Sequence, residues 1–143
     1  MAEIFMIGEL ASRSARSVHA IRWYETQGLM PGVQRNSAGR RLYNEQHVDW
    51  LALMERLRRT GMSIAEMRAY TALVKQGKAT LAQRRDMLAA HRARVLATID
   101  EWRQALSLID SKVDFYGEWL ASGHRPKTAP SAMAALRPRR ADR

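Results

Sequence analysis

The sequence predicts a mainly α-helical protein with one small β-hairpin in its front half and a long helix behind. Three observations predict it. Apolar residues recur at helical spacing in short runs up to about residue 77; a basic segment around Asn36 to Gly39 carries turn chemistry; and residues 78–120 contain no Pro and one Gly while keeping an apolar heptad. Composition agrees with this reading. Apolar residues make up 46% of the chain and charged ones 27%, which suits a packed core, and only two Phe favour aliphatic helices over an aromatic sheet.

From Ile7 onward, Ile7, Leu10 and Ala11, then Val18, Ile21 and Tyr24, form two short apolar runs broken at Ser14-Ala15-Arg16. This spacing predicts two short helices joined by a tight turn, with Ser17 as N-cap of the second because its hydroxyl can accept a first-turn amide. With Val18 and Ile21 inward, His19, Ala20, Arg22 and Trp23 are left outward. Arg16, His19 and Arg22 then set donors along one face, and such a helix fits the major groove of B-form DNA.

After Gly28-Leu29-Met30-Pro31, the segment Val33 to Tyr43 reads as a hairpin turning at Asn36-Ser37-Ala38-Gly39. Arg35, Arg40 and Arg41 cluster on it with Tyr43. A basic hairpin beside a helix-turn-helix is a wing, able to follow phosphates while the helix reads bases. Asn44 caps a third helix to about Thr60, with Val48, Leu51, Leu53, Met54 and Leu57 as its buried stripe and Gly61 as its stop. Arg56, Arg58 and Arg59 suit the negative end of that helix, with phosphate contact by Arg59 as the alternative role. Ser63-Ile64-Ala65-Glu66 has capping-box spacing and opens a fourth helix to about Gln76, which Gly77 ends.

Every seventh residue from Leu81 gives Leu81, Leu88, Val95, Trp102, Ile109 and Tyr116, all apolar. The positions four further on are Arg85, Arg92, Ile99, Leu106, Val113 and Leu120, apolar from Ile99 onward. A helix of about 40 residues reaches roughly 60 Å, longer than a small domain covers, so a coiled coil with a second copy is the expected partner of this seam. Leu88, Val95, Ile99, Trp102, Leu106, Ile109 and Val113 are the dimerisation residues expected from it. The competing arrangement packs the helix back against the front domain. The expected organisation is therefore 1–77 as a winged helix-turn-helix domain with two supporting helices, 78–120 as the dimerisation helix, and 121–143 as a basic, disordered tail.

The formal charge of +10 on 143 residues points to a polyanionic partner, double-stranded DNA before an anionic membrane. Half of that excess lies in residues 121–143, whose Arg137-Pro138-Arg139-Arg140 run reads as a solubilising terminus, or alternatively as a phosphate-binding arm. Residues 78–120 are almost neutral, at +1, which leaves +4 for the front segment. With no cysteine, disulfides, thiolate metal sites and redox thiols are excluded. No apolar run is long enough to span a membrane, and the start Met1-Ala2-Glu3-Ile4 has no export-signal pattern, so a cytoplasmic protein is expected. His19, His47, His91 and His124 show no metal-ligand spacing, and no nucleophile elbow or phosphate-cradling glycine loop is present. Neither a metal, a cofactor nor an enzymatic activity is expected.

The residues Ile7-Gly8-Glu9-Leu10-Ala11, Ile21-Arg22-Trp23-Tyr24-Glu25, Gly28-Leu29, Gly39-Arg40-Arg41-Leu42-Tyr43 and Arg59-Thr60-Gly61-Met62-Ser63 with Glu66, in that order, resemble the mercury-resistance regulator (MerR) family over residues 4 to about 120. The resemblance implies a dimeric transcription regulator with antiparallel long helices, acting with RNA polymerase at a promoter whose overlong spacer it distorts. It also implies DNA contacts at Ser17, His19, Arg22, Trp23 and Tyr24 of the second helix and at Arg41 and Tyr43 of the wing. Arg16 and Arg40 stand where the family usually has an apolar residue and a tyrosine. Ala15 replaces the usual turn glycine, Met6 the usual capping hydroxyl, and Ala20 a frequent threonine.

Many relatives sense metals or oxidants through cysteines, a route this sequence closes. An effector is then a small molecule seated between the long helix and the helices from Asn44 to Gln76, with Trp50 and Met54 as candidates to line a cleft and core packing as their competing role. The alternative function is an effector-free architectural or protein-interaction module that binds DNA loosely.

Overall fold

A computed structural model describes residues 2–127 of the chain. Its elements follow one another as α1 (Ile7–Ser14), α2 (Val18–Thr26), β1 (Gln34–Arg35), β2 (Arg41–Leu42), α3 (Glu45–Arg59), α4 (Ile64–Lys75), a 3-10 turn (Gly77–Thr80) and α5 (Leu81–Ser122). The mainly helical fold with a small hairpin is the one expected.

Local chemistry explains most boundaries. Met6 gives α1 no side-chain cap, and the helix stops at Ala15, which adopts the left-handed conformation at φ 54° and ψ 38°. The Arg16 amide then donates back to the Ala11 carbonyl at 3.1 Å, closing the end of α1. Ser17 Oγ accepts from the Ala20 amide at 3.0 Å and starts α2. In the hairpin, β1 and β2 pair antiparallel in the register Gln34–Leu42 and Arg35–Arg41. Asn36 Oδ1 accepts from both the Ala38 and Arg40 amides at 3.0 Å, and Gly39 supplies a positive φ of 78° at the turn. A further rung joins Phe5 to Tyr43 by two backbone hydrogen bonds of 2.9 and 2.8 Å, so the N-terminal segment is tied to the base of the wing.

Asn44 caps α3 by accepting from the Gln46 amide, and the His47 ring returns a bond by accepting from the Asn44 amide at 3.1 Å. His47 Nε2 faces the Pro31 carbonyl at 3.1 Å, so the ring donates there and accepts at Nδ1, which requires the neutral tautomer. Burial holds its pKa below the ordinary histidine value, against the opposing pull of the Pro31 carbonyl and the nearby Glu25 charge. Ser63 caps α4 from the Glu66 amide at 3.1 Å, as its spacing predicts. The Glu66 carboxylate, however, pairs with Arg94 at 2.8 Å instead of returning to Ser63, because α5 brings a guanidinium within reach.

Contacts divide the chain into two units, one running to Val95 and one from Leu96. The core of the first contains Leu10, Ile21, Leu29, Leu51, Met54 and Met67, fully enclosed, with Phe5, Tyr24, Tyr43 and Tyr70 around them. His91, on the first part of α5, is buried in the same unit with Nε2 2.7 Å from the Thr60 hydroxyl. Because that hydroxyl already donates to the Arg56 carbonyl at 2.7 Å, the ring is the donor to it. In the second unit, Phe115 is buried against Trp119, while Lys112 and Arg125 lie over its ring. The tail from residue 128 on, including the Arg137 to Arg140 run, lies outside the described residues. Among the described residues, no helix is long and apolar enough to cross a membrane.

Candidate nucleic-acid interface

Two elements, α2 and the hairpin, carry most of the basic side chains expected at DNA. On α2, burial of Ile21 and Tyr24 turns His19 and Arg22 out to solvent, while Trp23 is half-buried with its ring edge-on to Tyr24 at 5.1 Å. Arg58 of α3 lies 5.8 Å over the outer face of Trp23. Ser17, at the head of α2, is exposed but already uses its oxygen as the helix cap.

On the hairpin, Arg35, Arg40 and Arg41 are all exposed. Arg35 donates to the Gly39 carbonyl at 2.8 Å across the turn, which stiffens the tip, and Arg40 lies 3.9 Å from Met6 Sδ. Arg41 Nε pairs with Glu25 Oε2 at 2.6 Å. Glu25 comes from the last turn of α2, and its side chain is only 9% exposed. Its other oxygen accepts the phenol of Tyr43. Helix and wing are therefore joined through one carboxylate that uses both oxygens, a pairing that composition and spacing do not reveal.

Three of the expected contact residues are turned inward. Tyr24 and Tyr43 are core side chains. Burial first, and the Glu25 hydrogen bond second, hold the Tyr43 phenol above its ordinary pKa, so it stays a proton donor. Arg16 sits in the turn before α2 with its guanidinium on Glu55 of α3, and its Nη atoms reach the Ser14 and Leu51 carbonyls at 3.4 Å. The outward group is accordingly His19, Arg22, Arg35, Arg40 and Arg41, with Ser17 and Trp23 at its edge.

The two effector candidates are engaged in packing. Met54 is fully enclosed, and Trp50 stacks on Tyr70 at 5.7 Å with its indole N–H on the Leu29 carbonyl at 2.6 Å. Of the expected dimerisation residues, Leu88 packs on the core of the first unit and Val95 is half-buried. In the second unit Ile99, Trp102, Leu106, Ile109 and Val113 form a solvent-exposed apolar row, with Trp102 at 75% and Val113 at 62%. Tyr116 and Leu120 continue it.

Comparison with known proteins gives a consistent result. A family described as MerR HTH family regulatory protein matches residues 5–73, and one described as MerR, DNA binding, matches residues 48–111. The chain is 34% identical over 116 residues to the HTH-type transcriptional regulator CueR of Vibrio cholerae, covering 81% of this chain and 78% of that one. Its fold is similar to a putative MerR family transcriptional regulator from Listeria monocytogenes, with a TM-score of 0.77, 33% identity, and 83% and 90% of the two chains covered. It is also similar to HiNmlR, a MerR family regulator lacking the sensor domain, in a crystal structure bound to promoter DNA. There the TM-score is 0.73 and the identity 26%, with 85% of this chain and 96% of that one covered.

Proposed function

This chain belongs to the MerR family of helix-turn-helix transcriptional regulators, and from that premise we propose that it binds a palindromic promoter site as a homodimer, α2 in the major groove and the wing along the adjacent backbone. The observation that carries this reading is the Glu25 junction. It links α2, which carries the exposed Arg22, to the hairpin, which carries the exposed Arg35, Arg40 and Arg41, and this supports the reading that both elements contact one duplex. Ser17 and Trp23 support the face from its edge, Tyr24 and Tyr43 from beneath, and Arg16 anchors the turn before α2 to Glu55 of α3.

Homodimerisation rests on the exposed row from Ile99 to Leu120. Fully burying one large aliphatic or aromatic side chain is worth about 1.5–3 kcal/mol, so water is a poor partner for seven of them in sequence on one helix. A second copy of the same seam is self-complementary. RNA polymerase at the same promoter is the further partner, with spacer distortion as the route to activation. With no cysteine, an effector would bind through non-thiol chemistry. The same regulation without a small-molecule effector is the second reading, supported by the similarity to a regulator whose sensor domain is lacking.

The test is footprinting on DNA upstream of the gene itself, repeated with Arg22→Ala and Arg41→Ala. A protected palindrome that both variants weaken is the expected result. Equal affinity for unrelated DNA would identify an architectural binder instead.

A further inference from the structure

A cavity of about 410 Å³ lies beside the helix-turn-helix turn, lined by Arg13, Ser14 and Arg16 on one side and by Glu55, Arg56 and Arg59 of α3 on the other, with Val48 and Ala52 behind. Four guanidiniums and one carboxylate line it. Arg13 is already committed to Glu3, Glu9 and Glu45 at 2.5–2.9 Å. Arg16 and Arg59 share a single acid, and Arg56 has none. Glu55 accepts from Arg16 at Oε2 and from Arg59 at Oε1, the latter at 3.3 Å, while among the described residues Arg56 reaches only the Ala52 carbonyl, also at 3.3 Å. Among the described residues, Arg16 Nε is a buried side-chain donor with no hydrogen-bond partner.

The geometry points to an oxyanion site in this cleft that takes a phosphate group, held by Arg16, Arg56 and Arg59, with Glu55 as the resident group it displaces. Guanidinium forks match phosphate oxygens in pairs, which one shared carboxylate cannot do for three of them. A phosphate supplies oxygen acceptors for the exposed Arg56 and Arg59 guanidiniums and negative charge in a lining whose guanidiniums outnumber its one carboxylate, and the buried Arg16 Nε–H reports on any shift of the Arg16–Glu55 pair. The volume falls in the range of small-ligand sites, about 300–1,000 Å³. The residue following Arg16 is the cap of α2, so whatever fills the cleft acts one residue from the start of the helix that faces DNA.

Two sources offer this chemistry, the DNA backbone and a free phosphate-bearing molecule, and the first of them rests on the proposed DNA-binding function. The experiment follows the Arg16 Nε–H resonance of the full chain by NMR while inorganic phosphate is titrated at constant ionic strength against chloride, and again with operator DNA. A response to inorganic phosphate, abolished in Arg56→Ala with Arg59→Ala and strengthened in Glu55→Gln, is expected. If DNA is the source, DNA also moves the resonance. The salt dependence of operator binding by the double variant is then shallower by about 0.9 in the slope of log K on log salt, because one phosphate fewer is neutralised. A phosphate response with an unchanged slope assigns the site to a free ligand. No response to phosphate or to DNA overturns the proposal, whatever the slope does. The double variant changes exposed side chains, so it keeps the test readable if Glu55→Gln fails to fold. Absence of a protected operator in the footprint would instead count against the regulator reading and leave the phosphate titration intact.

Discussion

The phenol of Tyr43 donates to the carboxylate of Glu25, so the base of the wing hangs from the last turn of α2 by a part-buried hydrogen bond. Tyr43→Phe removes the donor and leaves a largely buried carboxylate with Arg41 as its remaining partner. A loss of about 1–3 kcal/mol in denaturant stability is expected. The affinity ratio for operator over unrelated DNA should fall as well, because helix and wing lose their fixed spacing. A stability loss with an unchanged ratio would limit this hydrogen bond to holding the fold.

Ala15 occupies a left-handed backbone conformation at φ 54°. That conformation costs a residue with a Cβ about 1–2 kcal/mol, whereas glycine adopts it freely at an entropic cost of about 0.5–1 kcal/mol. Ala15→Gly should therefore raise stability by up to about 1 kcal/mol, read as a higher urea midpoint at unchanged m-value. A lower midpoint would show that the methyl group packs well enough to outweigh the strain.

His47 is neutral in the fold and protonates more readily once unfolded, since burial lowers its folded pKa. The unfolded state then binds more protons. Stability from this group is complete above the ordinary histidine value of about 6.5 and is lost as the pH falls from there towards the folded pKa. Denaturation midpoints should drop as the pH falls below about 6.5, and His47→Asn should show a smaller drop from a lower starting point. An identical pH slope in the variant would assign the effect elsewhere.

Ile109→Asp and Val113→Asp place a charge in the exposed row of α5. Sedimentation should show monomers for both variants at concentrations where the parent is dimeric, and operator protection should disappear, since one half-site offers too few contacts. Helix content should stay close to the parent value, because both side chains are solvent-exposed within a single chain. A dimer that survives both changes would move the interface off this row.

The elements that local chemistry dictates were legible in the sequence. Ser17 and Asn44 cap the helices their positions predict, Asn36 and Gly39 make the wing turn, and the unbroken period from Leu81 yields one helix to Ser122. What depends on distant partners was not. The Phe5 rung is too short to leave a period, and the pairing of Glu25 with Arg41 and of Glu55 with Arg16 joins residues 16 and 39 positions apart. The site residues divide in the same way. His19 and Arg22 follow from the helical period, but Tyr24 and Tyr43, expected at the DNA, pack in the core. Tyr24 carried a usable signal, since it lies three residues after Ile21 on the same helix face. The capping box at Ser63 is half-formed for a reason outside the segment, the arrival of Arg94.

The rung between Phe5 and Tyr43 ties the wing to the body of the domain through hydrogen bonds of the chain itself. Ordering of that hairpin is thus completed during folding and does not recur at each encounter. Association should then be governed by charge and orientation, with a rate that falls steeply with salt and a small heat-capacity change for so polar an interface. Cutting the rung by deleting residues 2–5 would transfer the ordering cost to the binding step, and its trace would be kinetic: slower association at every salt concentration, with dissociation changed less.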